Sequence, residues 1–241
     1  MISANAVIKT SSIGDNTEIK DFVVIQQDVE IGKNVIIHPH VTIDSGTIIG
    51  NRVEVFPGAY IGKEPKGAGA TVRKLNFAHK IIINDNCSIG PNSIIYYDVE
   101  IGNNTLIGDN ASIREGVRIG EYCILSRGVT VNYNTHIGNR TKIMDLSHIT
   151  GNCDIGDDVF ISVLVATTND RAIGKLGYEE ERIQGPKIGN QVAIGAGANI
   201  LPGVKIGDRS IIAAGSLVNK DVPTGKMVAG SPARLLKTIS E

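Results

Sequence analysis

Residues 101–156 read IGNNTLIGDN ASIREGVRIG EYCILSRGVT VNYNTHIGNR TKIMDLSHIT GNCDIG. Every sixth residue from Ile101 to Ile155 is aliphatic, and the pair Ile-Gly returns at Ile101, Ile119, Ile137 and Ile155. The same phase extends without a break from Ile83 to Ile161. A second phase covers Val7 to Ile61, and a third covers Ile188 to Val218. A period of six built on β-branched residues implies short strands joined by corners rather than helices. Three hexads make one triangular coil, and each coil pairs in parallel with the next at roughly 4.8 Å. The fold class expected is all-β: a parallel β-helix of ten coils, about 48 Å tall at that spacing. Polar pairs after Ile-Gly, such as Asp15-Asn16, Asn103-Asn104, Asp157-Asp158 and Asp208-Arg209, read as corner formers.

The phase breaks locate what the repeat does not need. One falls between Ile61 and Ile83 and the other between Ile161 and Ile188. They predict a single domain over 1–241 with extruded loops near 63–80 and 166–186. Long loops in a compact domain are usually functional or disordered. The tail 234–241, with Leu235, Leu236 and Ile239, is expected to form a short helical turn over the open end of the solenoid.

Composition limits the partners. Net charge is −1 and the pI about 6.5, so neither nucleic acid nor an anionic membrane is drawn in by charge. No secretory signal and no apolar run of spanning length occurs, so a cytoplasmic protein is expected. Cys87, Cys123 and Cys153 each stand two residues before a core aliphatic, where other coils carry Thr47, Ala59 or Thr135. They read as small packing residues. His38, His40, His79, His136 and His148 offer no pair with zinc-ligand spacing, and no metal is expected.

Residues 18 apart should stack in outward columns. Glu100, Arg118, His136 and Asp154 form a charge ladder, and Leu106, Ile124, Lys142 and Phe160 form an apolar column suited to a partner surface. Near the C-terminus, Gly195-Ala196-Gly197, Ala213-Ala214-Gly215 and Gly230-Ser231-Pro232 present a ledge almost without side chains. Bare backbone admits an extended, amide-bearing ligand such as a pantetheine arm. Lys220, Lys226 and Arg234 follow, where they can meet phosphate.

With IGAGANILPGVKIG, KDVP and AGSPAR between Ile188 and Arg234, the chain resembles the hexapeptide-repeat acyltransferases. That resemblance implies a left-handed helix, acetyl-CoA as cosubstrate, a homotrimer and active sites between subunits. Gly195, Ala196, Ala213 and Ala214 with Lys220, Lys226 and Arg234 are the expected CoA contacts. Thr168-Asn169-Asp170 with Gly185-Pro186 is similar to the N-acetyltransferases of nucleotide-linked amino sugars, in which this Asn lies beside the sugar amine. The repeat starts by Val7, so the N-terminal nucleotide-binding-like domain of some relatives is not expected. Lys63, Lys66, Arg73, Lys74 and Lys80 then become the alternative clamp for a diphosphate. Many members carry a second His as general base; here His148 matches the first His and Gly151 stands at the base position. Asn169 and His148 are therefore the catalytic candidates. An O-acetyltransferase, an amino-acid N-acyltransferase and a non-catalytic scaffold remain the alternatives.

Overall fold

The computed structural model describes residues 1–70 and 72–239. Strands of two to four residues recur once per side of a three-sided prism, and each pairs in parallel with its counterpart one coil away. The first side carries strands such as Leu106–Ile107, the second Ser112–Ile113 and the third Arg118–Ile119. Among the described residues the three sides hold 12, 11 and 9 strands. This is a parallel β-solenoid of about 12 turns, against the ten expected. The count grows because Ile2 bridges to Ile19 ahead of the counted repeat, and Lys226–Ala229 adds a strand behind it.

The inward positions from Ile83 to Ile161 are all buried and line one continuous core. The first coil departs from the expected phase. Val7 is half exposed, while Ile8 pairs with the buried Ile25 and packs against the core. Ile8 and Ile13 are five residues apart rather than six, so the first coil is one residue short. A one-residue slip exchanges the two faces of a strand, and Val7 is thereby turned outward.

Ile-Gly repeats because coils approach closely at that corner. A Cβ on Gly102 would lie 2.6 Å from the Gly120 carbonyl carbon. Two residues later the backbone must adopt positive φ, and Asn16, Asn104 and Asp158 do so at 59°, 57° and 57°. Asn and Asp tolerate that region better than most residues. Side chains also tie coil to coil: Asn139 Oδ1 accepts from Glu121 N at 2.9 Å, and Asp157 Oδ1 from Asn139 N at 2.7 Å.

The cysteines behave as substitutes for threonine. Thr105 Oγ1 donates to Gly120 O at 2.9 Å, and Cys123 Sγ donates to Gly138 O at 3.1 Å in the next coil. All three thiols are buried. Burial pushes Cys87 up to about 11 and Cys153 up to about 12, so neither is a thiolate at neutral pH.

The C-terminal tail is a strand, not the expected helical turn. Arg234–Thr238 runs antiparallel to Lys226–Ala229. The last coil exposes unpaired backbone groups along that edge, and an added strand satisfies them where a helix would not. Leu235 and Leu236 stay exposed, so their apolar character carries no helical packing. Residues 240 and 241 of that tail, and residue 71 of the first loop, lie outside the described residues.

The outward columns form in the expected register. Glu100, Arg118, His136 and Asp154 are successive partners on the third side, with His136 Nδ1 at 3.3 Å from Asp154 Oδ1. Leu106, Ile124, Lys142 and Phe160 align on the first side, with Leu106 and Phe160 exposed.

Candidate functional site

Both loops leave the same edge of the prism. Tyr60–Lys63 and Ala166–Thr167 belong to the second side, and each is followed by an extrusion before the chain rejoins the third side at Ile81–Ile83 or Lys187–Ile188. Between them the corner carries one residue per coil in a column: Tyr97, Glu115, Tyr133 and Gly151, with Asn169 next at the root of the second loop.

Asn169 is held on two sides. Its Nδ2 donates to Gly151 O at 3.1 Å, and its backbone carbonyl accepts from Gln184 N at 2.9 Å. Asp170 organises the turn beyond it by accepting from Gly174 N and Ala172 N, bonds that hold its carboxyl below the ordinary value. Arg171 Nε reaches Pro202 O at 3.1 Å, and Asn152 Nδ2 reaches Ile183 O at 2.8 Å. The second loop is thus pinned to the coils on either side of its exit. With Nδ2 committed, Oδ1 is the edge that can accept from an amine.

His148 projects from the outer face of the second side, one strand below Ala166. Its ring is half-buried, and Nδ1 lies 2.7 Å from Thr130 Oγ1. Burial lowers its pKa, so the imidazole is neutral at pH 7. A neutral ring can accept a proton, and its place on the strand leading to the Gly151 corner puts it beside the Asn169 column.

The first loop folds back onto this corner. Arg73 pairs with the fully buried Glu115, which also takes Arg114 Nε at 2.8 Å. The Arg73 guanidinium carbon sits 3.8 Å from the Tyr133 ring centre. Arg114 and Lys63 lie 5.0 and 4.9 Å from the Tyr96 ring centre. Of the cations suggested for a diphosphate, Arg73 is therefore already engaged within the chain. The sequence reading missed Glu115, Tyr133 and Tyr96. The available signal was an acidic residue in a corner column that otherwise holds Tyr97, Tyr133 and Gly151.

The small-residue ledge is of two kinds. Gly195 is forced by coil contact, since a Cβ there would stand 2.5 Å from Ala214 N. Gly197 and Gly215, at φ of 67° and 68°, face open space. Ala214 and Gly215 are exposed, with Ala196 and Ala213 half-buried. On the same corner, one and two coils earlier, Leu164 and Leu146 are exposed at 59% and 64%. The bare step is thus continuous with an apolar shelf that the sequence reading overlooked. Lys220, Lys226 and Arg234 line one cleft at the C-terminal end. The ledge and Asn169 lie at opposite ends of the second-side strands, with the His148, Ala166 and Asn199 face between them.

The model of the bacterial transferase hexapeptide (six repeats) matches residues 10–45, 98–132 and 185–220. The bifunctional protein GlmU of Synechococcus elongatus is 32% identical over 66% of the chain, which spans 36% of that protein. A 2,3,4,5-tetrahydropyridine-2,6-dicarboxylate N-acetyltransferase of Clostridium perfringens is 56% identical over 22% of the chain and 23% of its own length. Galactoside O-acetyltransferase of Escherichia coli is 33% identical over 56% of the chain and 64% of its own length. The chain thus spans less than two thirds of each of these relatives.

Proposed function

We propose that the chain, which the bacterial transferase hexapeptide model matches in three segments, is a CoA-dependent N-acetyltransferase acting on the amine of a nucleotide-linked amino sugar. The observation that carries this reading is the Asn169 corner: an amide oriented by Gly151 O, beside a glycine where a base stands in the resembled family. A sugar amine is flanked by electron-withdrawing oxygens, which places its pKa near the ~7.7–8.0 of an α-amino group. A useful neutral fraction exists without an enzymic base. Positioning of the amine and a backbone N–H for the tetrahedral oxyanion then supply the catalysis. Relatives named as N- and O-acetyltransferases support acyl transfer in general. The neutral imidazole of His148 favours the second reading, transfer to a hydroxyl, which needs a base.

Acetyl-CoA lies along Gly197 and Gly215 in this proposal, with Lys220, Lys226 or Arg234 at phosphate. Acetyl-CoA is expected to raise the melting temperature, and a panel of nucleotide amino sugars identifies the acceptor. Ala214→Trp should raise KM for acetyl-CoA by about ten-fold or more, by placing an indole over the exposed step. An unchanged KM, with the fold intact by circular dichroism, puts the cosubstrate elsewhere.

The column of Leu106, Ile124 and Phe160 meets a second copy of the chain in the proposed homotrimer. Light scattering at micromolar concentration should give three times the 25.6 kDa of one chain. A monomeric mass rejects the trimer.

A further inference from the structure

Among the described residues, Tyr133 stands at the corner between the two loops. From the first loop, the Arg73 guanidinium stacks on its ring at 3.8 Å while pairing with Glu115 one coil below. From the second loop, the Tyr178 phenol lies close enough to Tyr133 for the two to interact, and burial together with that contact raises the Tyr178 pKa. One coil above, the ring lies against Gly151: a Cβ at that position would stand 2.7 Å from Tyr133 Cε2 and Cζ. Gly151 does not occupy the left-handed region, so its backbone alone would accept alanine. The ring, not the turn, is what requires glycine there. Gly151 in turn supplies the carbonyl that orients Asn169.

We propose that Tyr133 is a positioning residue for the acceptor: its ring fills the volume a side chain at 151 would need and latches the first loop to the second across the Asn169 corner. The role in acceptor binding rests on the acyltransferase reading; the latch itself does not. The absence of a base at 151 and the presence of Tyr133 become one feature. A histidine at 151 would displace the ring, free Arg73 from its stack and release the contact with Tyr178. The substrate class follows from this. A site whose base position is filled by an aromatic ring, with an amide one coil further on, suits an acceptor that attacks as a neutral amine. A guanidinium on a ring face and a buried carboxylate beneath it make the latch stiff in the absence of ligand.

The test compares Tyr133→Leu, Tyr133→Phe, Gly151→Ala and the Tyr133→Leu/Gly151→Ala double variant by hydrogen exchange and steady-state kinetics. Tyr133→Leu is expected to raise exchange in residues 64–70 and 172–182 together. Tyr133→Phe keeps the stack and removes the hydroxyl that faces Tyr178, so exchange rises in 172–182 alone. Tyr133→Leu should raise KM for the acceptor by about ten-fold while KM for acetyl-CoA stays put, and Tyr133→Phe should restore most of that loss. Gly151→Ala should imitate Tyr133→Leu in the parent chain and add nothing in the double variant, because the two residues share one volume. Additive effects, or a first loop that loosens without the second, overturn the latch. Coupled exchange with an unchanged acceptor KM overturns the positioning role. Should the chain transfer no acyl group, the exchange measurements on the single and double variants still decide the latch, so the two failures are told apart.

Discussion

Asn169→Ala is expected to lower kcat/KM by one to two orders of magnitude, on the order of 1.4 to 2.7 kcal/mol, with the oligomeric state and acetyl-CoA binding unchanged. The alanine removes the Nδ2 bond to Gly151 O and, on the proposed reading, the oxygen that would face the acceptor amine. In the proposed mechanism an uncharged amine is still the nucleophile, so the fall should come from orientation and appear in kcat as well as KM. The pH profile provides the sharper arm. An acceptor that loses its own proton makes the rate climb toward the amine pKa, near the ~7.7–8.0 of an α-amino group, in the parent and in Asn169→Ala alike. His148 is half-buried with a lowered pKa, so its titration falls on the acid side of that rise. His148→Ala should therefore cost less than the roughly 10²–10⁴-fold of a lost general base and leave the alkaline rise in place. If His148→Ala abolishes turnover while both substrates still bind, His148 is the base. The hydroxyl-acceptor reading then replaces the amine one.

Which parts of this molecule were legible in its sequence follows from the range of the interactions involved. The core was, because a six-residue period fixes which side chain of each strand faces inward, and the positions from Ile83 to Ile161 are all buried. The cysteine slots were too, since Cys123 makes the bond that Thr105 makes one coil earlier. Both loops were visible as phase breaks. The one-residue slip at Val7 was hidden because Val7 and Ile8 are both aliphatic, and either fits the period. The tail was misread for a related reason. Its leucine pattern allows a helical face, but an open solenoid edge needs partners for its backbone, which pattern reading does not weigh.

The geometry of the candidate site was half legible. Asn169, His148 and the ledge lie on the repeat and could be placed by counting. Arg73 could not, because it reaches Glu115 from 42 positions earlier through a loop that has no period. Its partners kept their meaning hidden in the same way: Tyr133 and Glu115 look like ordinary corner residues until the loop folds onto them. The split of the ledge into a forced Gly195 and an open Gly197 depends on the distance between coils, which composition does not encode.

Glu115→Ala should destabilise the chain by about 2 kcal/mol at pH 7, read as a melting temperature lower by roughly 4–8 °C. Glu115 is fully buried and takes both Arg73 and Arg114, the former nearly buried itself. Its loss leaves two guanidinium groups without their carboxylate. The figure stays below the ~3–5 kcal/mol for breaking a buried pair, because Arg73 rides on a loop and can turn toward water. The effect depends on pH in a definite sense. Burial alone would raise the Glu115 pKa, but the hydrogen bonds and charge of Arg114, joined by Arg73, outweigh it and hold the carboxyl below its ordinary value. A carboxyl depressed in the folded state contributes stability above the unfolded pKa of about 4.3, and that contribution is lost as pH falls through the folded value. The gap between parent and variant should thus be full at pH 6 to 7 and shrink below about pH 4. Thermal melts at pH 7, 5, 4 and 3 measure it. A gap that persists undiminished to pH 3 means that Glu115 acts there by filling space rather than by its charge, and the ion pair is not what holds the first loop to the corner.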